Sequence, residues 1–446
     1  MMGKHDDRND ERFDDVGNTR PAGTNFIAGN SEDGVDRRGF LRCMAWAGTA
    51  TVWGMSGGIP KSFSLSGIGS LTEVERKSIF FAQVSDSHIG FAKEANKDVT
   101  ATLQAAVAKL NDLPARPSLV IHTGDITQLA KPEEFDTANE VLKGVKADRM
   151  FYVPGEHDVA TDNGASYLAR YGRGTKGGGW YSFDHSGVHF IGLVNVLDLK
   201  AGGLGSLGAE QLAWLRRDVV GLSSSTPVVL FAHVPLWTIY PEWGWGTDDS
   251  EQALALLKRF GSVTVLNGHI HQIMQKVEGH VSFHTAMSTA FPQPAPGTAP
   301  APGPMKVSPE RLQSVLGIAS VTFVPGRSHL AIVDGTLSGT LPAFAEATNE
   351  MTAHAAKKPV VARGPGEIGI DNFAFSPATL TVKPGTKVTW INDDDVPHLI
   401  VNVEGKFASS KVLDTNQRFT AILKTPGEYR YFCSLHPQMQ GRIEVR

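Results

Sequence analysis

The chain has 446 residues, 41% of them hydrophobic and 20% charged, with a formal net charge of −4. The length exceeds one ordinary domain, and the composition is that of globular protein. The charge balance excludes a bulk positive field for nucleic acid or anionic lipid, and two cysteines, Cys43 and Cys433, exclude a disulfide framework.

Residues 1–35 are polar, acidic and rich in Gly and Asn, without apolar periodicity, and are expected to be disordered. Asp36-Arg37-Arg38-Gly39-Phe40-Leu41-Arg42 then precedes a mildly apolar stretch from Met44 to Met55. A basic pair before a short apolar run is the layout of an export signal. Arg-Arg-x-Phe-Leu resembles the twin-arginine form, which implies a periplasmic protein and a signal within residues 1–70. The stretch is too short and too rich in Gly, Ala and Thr to span a membrane, so no stable span is expected after signal removal. Cys433 would then be the remaining cysteine, and an unpaired thiol in an oxidising compartment has to be buried or bound.

From about Ile79 to Thr340, strands and helices alternate. Strands are expected at Ile79–Val84, Ser118–His122, Met150–Val153, Val228–Ala232 and Val263–Leu266, with a hairpin over Trp180–Val196. Val99, Leu103, Val107 and Leu110 recur at helical spacing. Further helices are expected over Gln211–Val220 and Glu251–Phe260. The alternation predicts a layered α/β fold over 71–342. The Pro/Ala/Gly-rich stretch Phe291–Pro309 cannot be regular structure; it is either a stiff loop overhanging the site or a plain surface connection.

The chemistry sits just beyond five of those strands. Asp86-Ser87-His88 follows the first, Gly124-Asp125 the second and Gly155-Glu156-His157-Asp158 the third. His233 follows the fourth, and Gly268-His269-Ile270-His271 the fifth. Ligands bind beyond the carboxyl ends of strands in such sheets, so these side chains should meet in space. Carboxylates and imidazoles suit Fe, Mn, Zn and similar ions, and there are enough for two. Two ions roughly 3.5–4 Å apart can polarise a phosphoryl group and generate hydroxide.

The order Asp-x-His, Gly-Asp, Gly-Asn-His-Asp/Glu, His, Gly-His-x-His resembles the calcineurin-like metallophosphoesterases over about Ile79–Leu341. It is closer to bacterial cyclic-nucleotide-type phosphodiesterases than to purple acid phosphatases, whose tyrosine after Gly-Asp is replaced here by Thr127, Gln128 and Leu129. The resemblance implies that Asp86, His88 and His271 hold one ion, that Asp125 bridges, and that Glu156, His233 and His269 hold the other. It implies a metal-bridged hydroxide attacking phosphorus in a small phosphoester, with His157 at the leaving group and Asp158 orienting His157. Glu156 stands where the family usually has asparagine, which adds a negative charge and favours a more highly charged ion.

Residues 343–364 are read as a linker. Beyond them, short strands are expected at Thr379–Val382, Lys387–Ile391, Leu399–Val403, Arg418–Leu423, Glu428–Cys433 and Arg442–Val445, with turns at Lys383-Pro384-Gly385 and Thr425-Pro426-Gly427. That pattern predicts an all-β sandwich over 365–446. His398, Cys433, His436 and Met439 supply one thiolate, two imidazoles and a thioether, the donor set of a blue-copper site. The segment resembles the small cupredoxins of the amicyanin and plastocyanin group, which implies one bound copper ion and a redox partner protein. Leu399 replaces a residue whose side chain often ties the ligand loops together. The alternative to a copper-bearing hydrolase is a copper-binding or electron-transfer protein on a weak or inactive phosphoesterase scaffold. Whether the two centres are coupled is open.

Overall fold

The computed structural model describes residues 51–56, 59–64, 78–197, 199–324, 330–339 and 364–446. Arg37-Arg38, Cys43 and residues 343–363 of the expected linker lie outside the described residues. Among the described residues, no helix is long and apolar enough to cross a membrane.

Strand β1 (Thr51–Ser56) pairs antiparallel with β2 (Ile59–Ser64). This hairpin falls in the stretch read as disordered tail and signal. Thr51, Val52 and Trp53 are strand formers that the apolar-run reading did not weigh.

The first large unit is two sheets packed face to face, each with helices on its outer side. One sheet contains β3 (Ile79–Val84), β4 (Leu119–His122) and β5 (Arg149–Tyr152), mutually parallel. The other has β6 (Tyr181–His185), β7 (Val188–Gly192), β8 (Val228–Phe231), β9 (Val263–Asn267), β10 (Gln275–Glu278) and β11 (Val281–Thr285), in the order β10-β11-β9-β8-β7-β6. The antiparallel strands β12 (Gly317–Phe323) and β13 (Ala331–Thr336) complete the first sheet as β13-β12-β3-β4-β5.

Val-Val-Leu-Phe in β8 and Leu-Val-Ile-His in β4 are buried along their whole length, the signature of strands covered on both faces. Phe81, Ile121, Phe190, Val229, Phe231 and Leu266 fill the space between the sheets. Each such side chain contributes roughly 1.5–3 kcal/mol on burial. Helix α1 (Val99–Asn111) lays Leu103 and Val107 beside Phe135 and Ala138 of α2 (Pro132–Leu142) outside the first sheet. On the opposite face, Leu215 and Val219 of α3 (Gly208–Val219) and Leu257 of α4 (Ser250–Leu257) cover the second sheet.

The layered α/β fold expected from the sequence is thus a sandwich of two sheets. The hairpin β6–β7 starts the second one, and β10 to β13 were not anticipated. β10 is exposed at all four positions, so it carries no apolar pattern to read.

The second unit is an all-β sandwich. One sheet orders β14 (Glu367–Asp371), β15 (Ala374–Ser376), β17 (Thr386–Asn392) and β19 (Arg418–Leu423) as β15-β14-β17-β19. The other orders β16 (Thr379–Val382), β18 (Ile400–Asn402), β20 (Gly427–Cys433) and β21 (Gln440–Val445) as β16-β21-β20-β18. Trp390, Tyr431, Ile368 and Ile443 fill its core. Alternation along Thr386–Asn392 and Gly427–Cys433 puts Trp390 and Tyr431 inward.

Candidate functional site

β3, β4 and β5 of one sheet and β8 and β9 of the other deliver their following loops to the same end of the sandwich. There the chain makes turns that most residues resist. Asp86 (φ 53°), His88 (42°), Asp125 (50°), His269 (71°) and His271 (55°) all sit in the left-handed region. Strain of this kind costs about 1–3 kcal/mol per residue and gathers at functional sites. Gly155 is required by close approach: a Cβ there would collide with the Asp125 carboxylate.

Four sets of donor atoms gather here, each within 4.8 Å: Asp86 with His88 and His271, Glu156 with His233 and His269, Asp86 with Asp125 and His233, and His88 with Asp125 and His157. Asp125 Oδ2 lies 3.5 Å from His88 Nε2 and 3.3 Å from His233 Nε2, between the first two sets. The expected residues are thus together, including Glu156, whose Oε2 is 3.0 Å from His233 Nε2 and whose Oε1 is 3.0 Å from His269 Nδ1.

The ring orientations are fixed from behind. His88 Nδ1 meets Gln128 Oε1 at 2.9 Å, His233 Nδ1 meets the Thr123 carbonyl at 2.7 Å, and His271 Nδ1 meets the Phe291 carbonyl at 2.6 Å. With each Nδ1–H donated outward, each Nε2 presents a bare lone pair inward. His88 Nε2 and His271 Nε2 then face each other at 3.2 Å. Two acceptors at that distance repel unless a cation stands between them. Glu156 Oε2, His233 Nε2 and His269 Nδ1 are also buried without a hydrogen-bond partner. Burial pushes His88 down to about 3 despite the carboxylate of Asp125, so its imidazole is neutral. The donor set fits a pair of metal ions.

One expected role is corrected. Asp158 does not orient His157. Its carboxylate accepts from the backbone N–H groups of Ile126, Thr127 and Gly155 and from the Thr127 hydroxyl. It ties the second and third loops together. His157 is instead held through Nδ1 by the Gln128 carbonyl at 2.9 Å. Asp158 sits in the first turn of a short helix, Glu156–Val159, which aims its side chain back toward Gly155 rather than along to its neighbour. Gln128, Thr123 and Phe291 escaped the sequence reading because each acts through its main-chain carbonyl, on His157, His233 and His271, which leaves no mark in side-chain identity.

In the second unit, His398, Cys433 and His436 form another set within 4.8 Å. Cys433 Sγ is 3.6 Å and His398 Nδ1 3.3 Å from His436 Nδ1. Met439 is buried at the end of the same loop, which its N–H closes onto the His436 carbonyl at 2.9 Å. His398 donates Nε2–H to Asp394 Oδ2 at 2.9 Å, which leaves Nδ1 bare toward His436. Two imidazole lone pairs and a thiol meeting in a buried spot suit a soft, thiolate-preferring ion such as copper. Asp394 was not singled out from the run Asp393-Asp394-Asp395, where three identical residues give no spacing signal. Leu399 ties the loops through its main chain: its N–H donates to Cys433 Sγ at 3.4 Å, and its carbonyl accepts from Ser434 N–H at 3.0 Å.

Pro302, Gly303 and Pro304 line the cleft over the first site, so the proline-rich stretch does overhang it.

The profile of the calcineurin-like phosphoesterases matches residues 81–273, and that of the cupredoxin-like domain matches residues 342–445. A 3',5'-cyclic-nucleotide phosphodiesterase of Nostoc sp. is 26% identical over 49% of this chain and 80% of its own length. A probable glycerophosphodiester phosphodiesterase of Arcobacter nitrofigilis is 29% identical over 46% of this chain and 77% of its own. Amicyanin-alpha of Methylorubrum extorquens is 31% identical over 18% of this chain and 72% of its own.

Proposed function

From a chain that belongs to the calcineurin-like phosphoesterases through residues 81–273 and to the cupredoxins through residues 342–445, we propose an exported phosphodiesterase with a dinuclear metal site and a type 1 copper site. The observation that carries the dinuclear reading is the facing pair of bare nitrogens, His88 Nε2 and His271 Nε2, beside the orphaned Glu156, His233 and His269 atoms. Asp86, His88 and His271 would hold one ion, Glu156, His233 and His269 the other, and Asp125 both. Such a pair, when bound, polarises phosphoryl oxygens and activates water near neutral pH.

The side chains do the rest. His269 N–H donates to Asp86 Oδ1 at 3.0 Å and His157 N–H to Asp125 Oδ1 at 3.0 Å, so both carboxylates are aimed by main chain. The Gln128 carbonyl fixes Nδ1 of His157 and leaves Nε2 to the cleft. His157 lines the cleft beside Asp125 and Glu156, which puts Nε2 where it can serve the leaving oxygen. We expect His157→Ala to lower turnover by about 10²–10⁴-fold, the usual worth of a positioned acid, with metal content retained. Loss of the metals would make His157 a ligand instead.

A singly charged diester suits the cleft better than a monoester dianion. No Lys or Arg is among the described residues that line it, so there is no cation beyond the metals for a second negative charge. Hydrolysis of bis-p-nitrophenyl phosphate tests the reading: chelated protein should be inert and regain activity with Mn, Fe or Zn. Full activity after chelation would contradict it.

At the copper site, Asp394 accepts two main-chain N–H bonds, from Asn372 and Phe373, as well as the His398 N–H. Its charge makes His398 a stronger donor, which favours oxidised copper. Asp394→Asn should raise the midpoint potential, by roughly 60–120 mV if the outer partner is worth about 10–100-fold at 59 mV per decade. An unchanged potential would show that the carboxylate does not reach the metal. Export rests on Arg37-Arg38. Replacing them with Lys-Lys should hold the precursor in the cytoplasm, and normal periplasmic appearance would remove the twin-arginine route.

A further inference from the structure

The copper-site loop is also a wall of the phosphoesterase cleft. Leu435, His436, Pro437 and Phe373 of the second sandwich line the same cleft as His157, Glu156 and His269 of the first. The His436 ring centroid is 6.3 Å from that of His157. Its Nδ1 edge faces Cys433 and His398, so its opposite edge is turned away from the copper donors.

The loop is fixed in this place on both sides of His436. Pro437 accepts from Gly202 N–H at 2.6 Å, and the Gln438 side-chain amide donates to the carbonyls of Gly202 and Gly203 at 3.1 Å each. Phe373 packs its ring 4.7 Å from His436 on the other side. It fits there because Gly303, beneath it, has no Cβ, which would come within 2.7 Å of the ring.

We propose that His436 makes the copper site a sensor of the cleft: a phosphoryl anion bound there stabilises oxidised copper, and oxidised copper tightens anion binding by the same factor. This rests on the dinuclear and copper reading above. The physical reason is short-range charge. An anion in the cleft lies against the ring that carries a copper-binding nitrogen; the paired ions are present with and without it, so its binding adds negative charge beside that ring. Inside a protein such interactions are several-fold stronger than in water. Oxidised copper carries one more positive charge than reduced copper, so the anion lowers the midpoint potential. Thermodynamic linkage makes the effect reciprocal.

The test uses full-length protein loaded with copper and with zinc, which is redox-inert, in the dinuclear site. The copper potential is measured by its visible band in an ascorbate–ferricyanide titration, with and without saturating inorganic phosphate. We expect the potential to fall by about 59 mV, which is a tenfold coupling. Phosphate should inhibit diester hydrolysis about tenfold more tightly when copper is oxidised. Gln438→Ala, which frees the loop from Gly202 and Gly203, should shrink the shift while the visible band persists. A visible band and phosphate inhibition with an unmoved potential would overturn this proposal alone. Absence of the band or of phosphate inhibition would overturn the parent reading and this proposal with it.

Discussion

Asp125→Ala should abolish most diester hydrolysis and lower metal content on both sides of the site. Among the described residues, Asp125 Oδ2 is the one carboxylate oxygen within 3.5 Å of imidazole nitrogens from both donor sets. Its other oxygen is already engaged by His157 N–H at 3.0 Å, so no rearrangement within the side chain can compensate. Losing a single electrostatic stabiliser costs about 10²–10³-fold in turnover; losing the shared ligand should cost at least that. Metal binding stabilises the folded state by mass action, so the variant should also lose the rise in melting temperature that added metal gives the parent. Asp125→Asn keeps the shape and the contact to His157 N–H, and it separates charge from folding. Metal content and rate equal to the parent in both variants would remove Asp125 from the bridging position.

Cys433→Ser should abolish the visible absorption of the oxidised protein. The sulfur is fully buried, 3.6 Å from His436 Nδ1 and in receipt of the Leu399 N–H. A hydroxyl in its place is a hard, neutral donor and cannot supply the thiolate on which the colour depends. Met439→Leu should keep the colour and shift the potential, because a thioether there would be a weak ligand that tunes the site rather than builds it. Any dependence of diester hydrolysis on added oxidant or reductant should vanish in Cys433→Ser. A parent that binds copper without colour would contradict the type 1 assignment.

Much of this architecture was legible because its determinants are local. Each donor block follows an apolar run short enough to be a buried strand, as with Val228–Phe231 before His233 and Val263–Asn267 before His269 and His271. The lone buried thiol and the spacing of Cys433, His436 and Met439 were equally local. The edge of the first sheet was not legible, because β12 and β13 return beside β3 from more than 200 residues away. The grip on His157 was misread for a different reason. A neighbouring carboxylate, Asp158, looked like its partner, but the third loop turns that side chain onto the main chain of Ile126 and Thr127. Nothing in the sequence pattern marks Gly202 and Gly203 as the seat of the copper loop, since both act through main-chain groups.

The central claim is that one chain holds a pair of hydrolytic metal ions and a separate copper ion. Metal analysis of the purified full-length protein tests it most directly. The account predicts two ions of Fe, Mn or Zn and one copper per chain, with the pair lost in Asp125→Ala and the copper lost in Cys433→Ser. A protein with full diester hydrolysis and fewer than two non-copper ions per chain would contradict it.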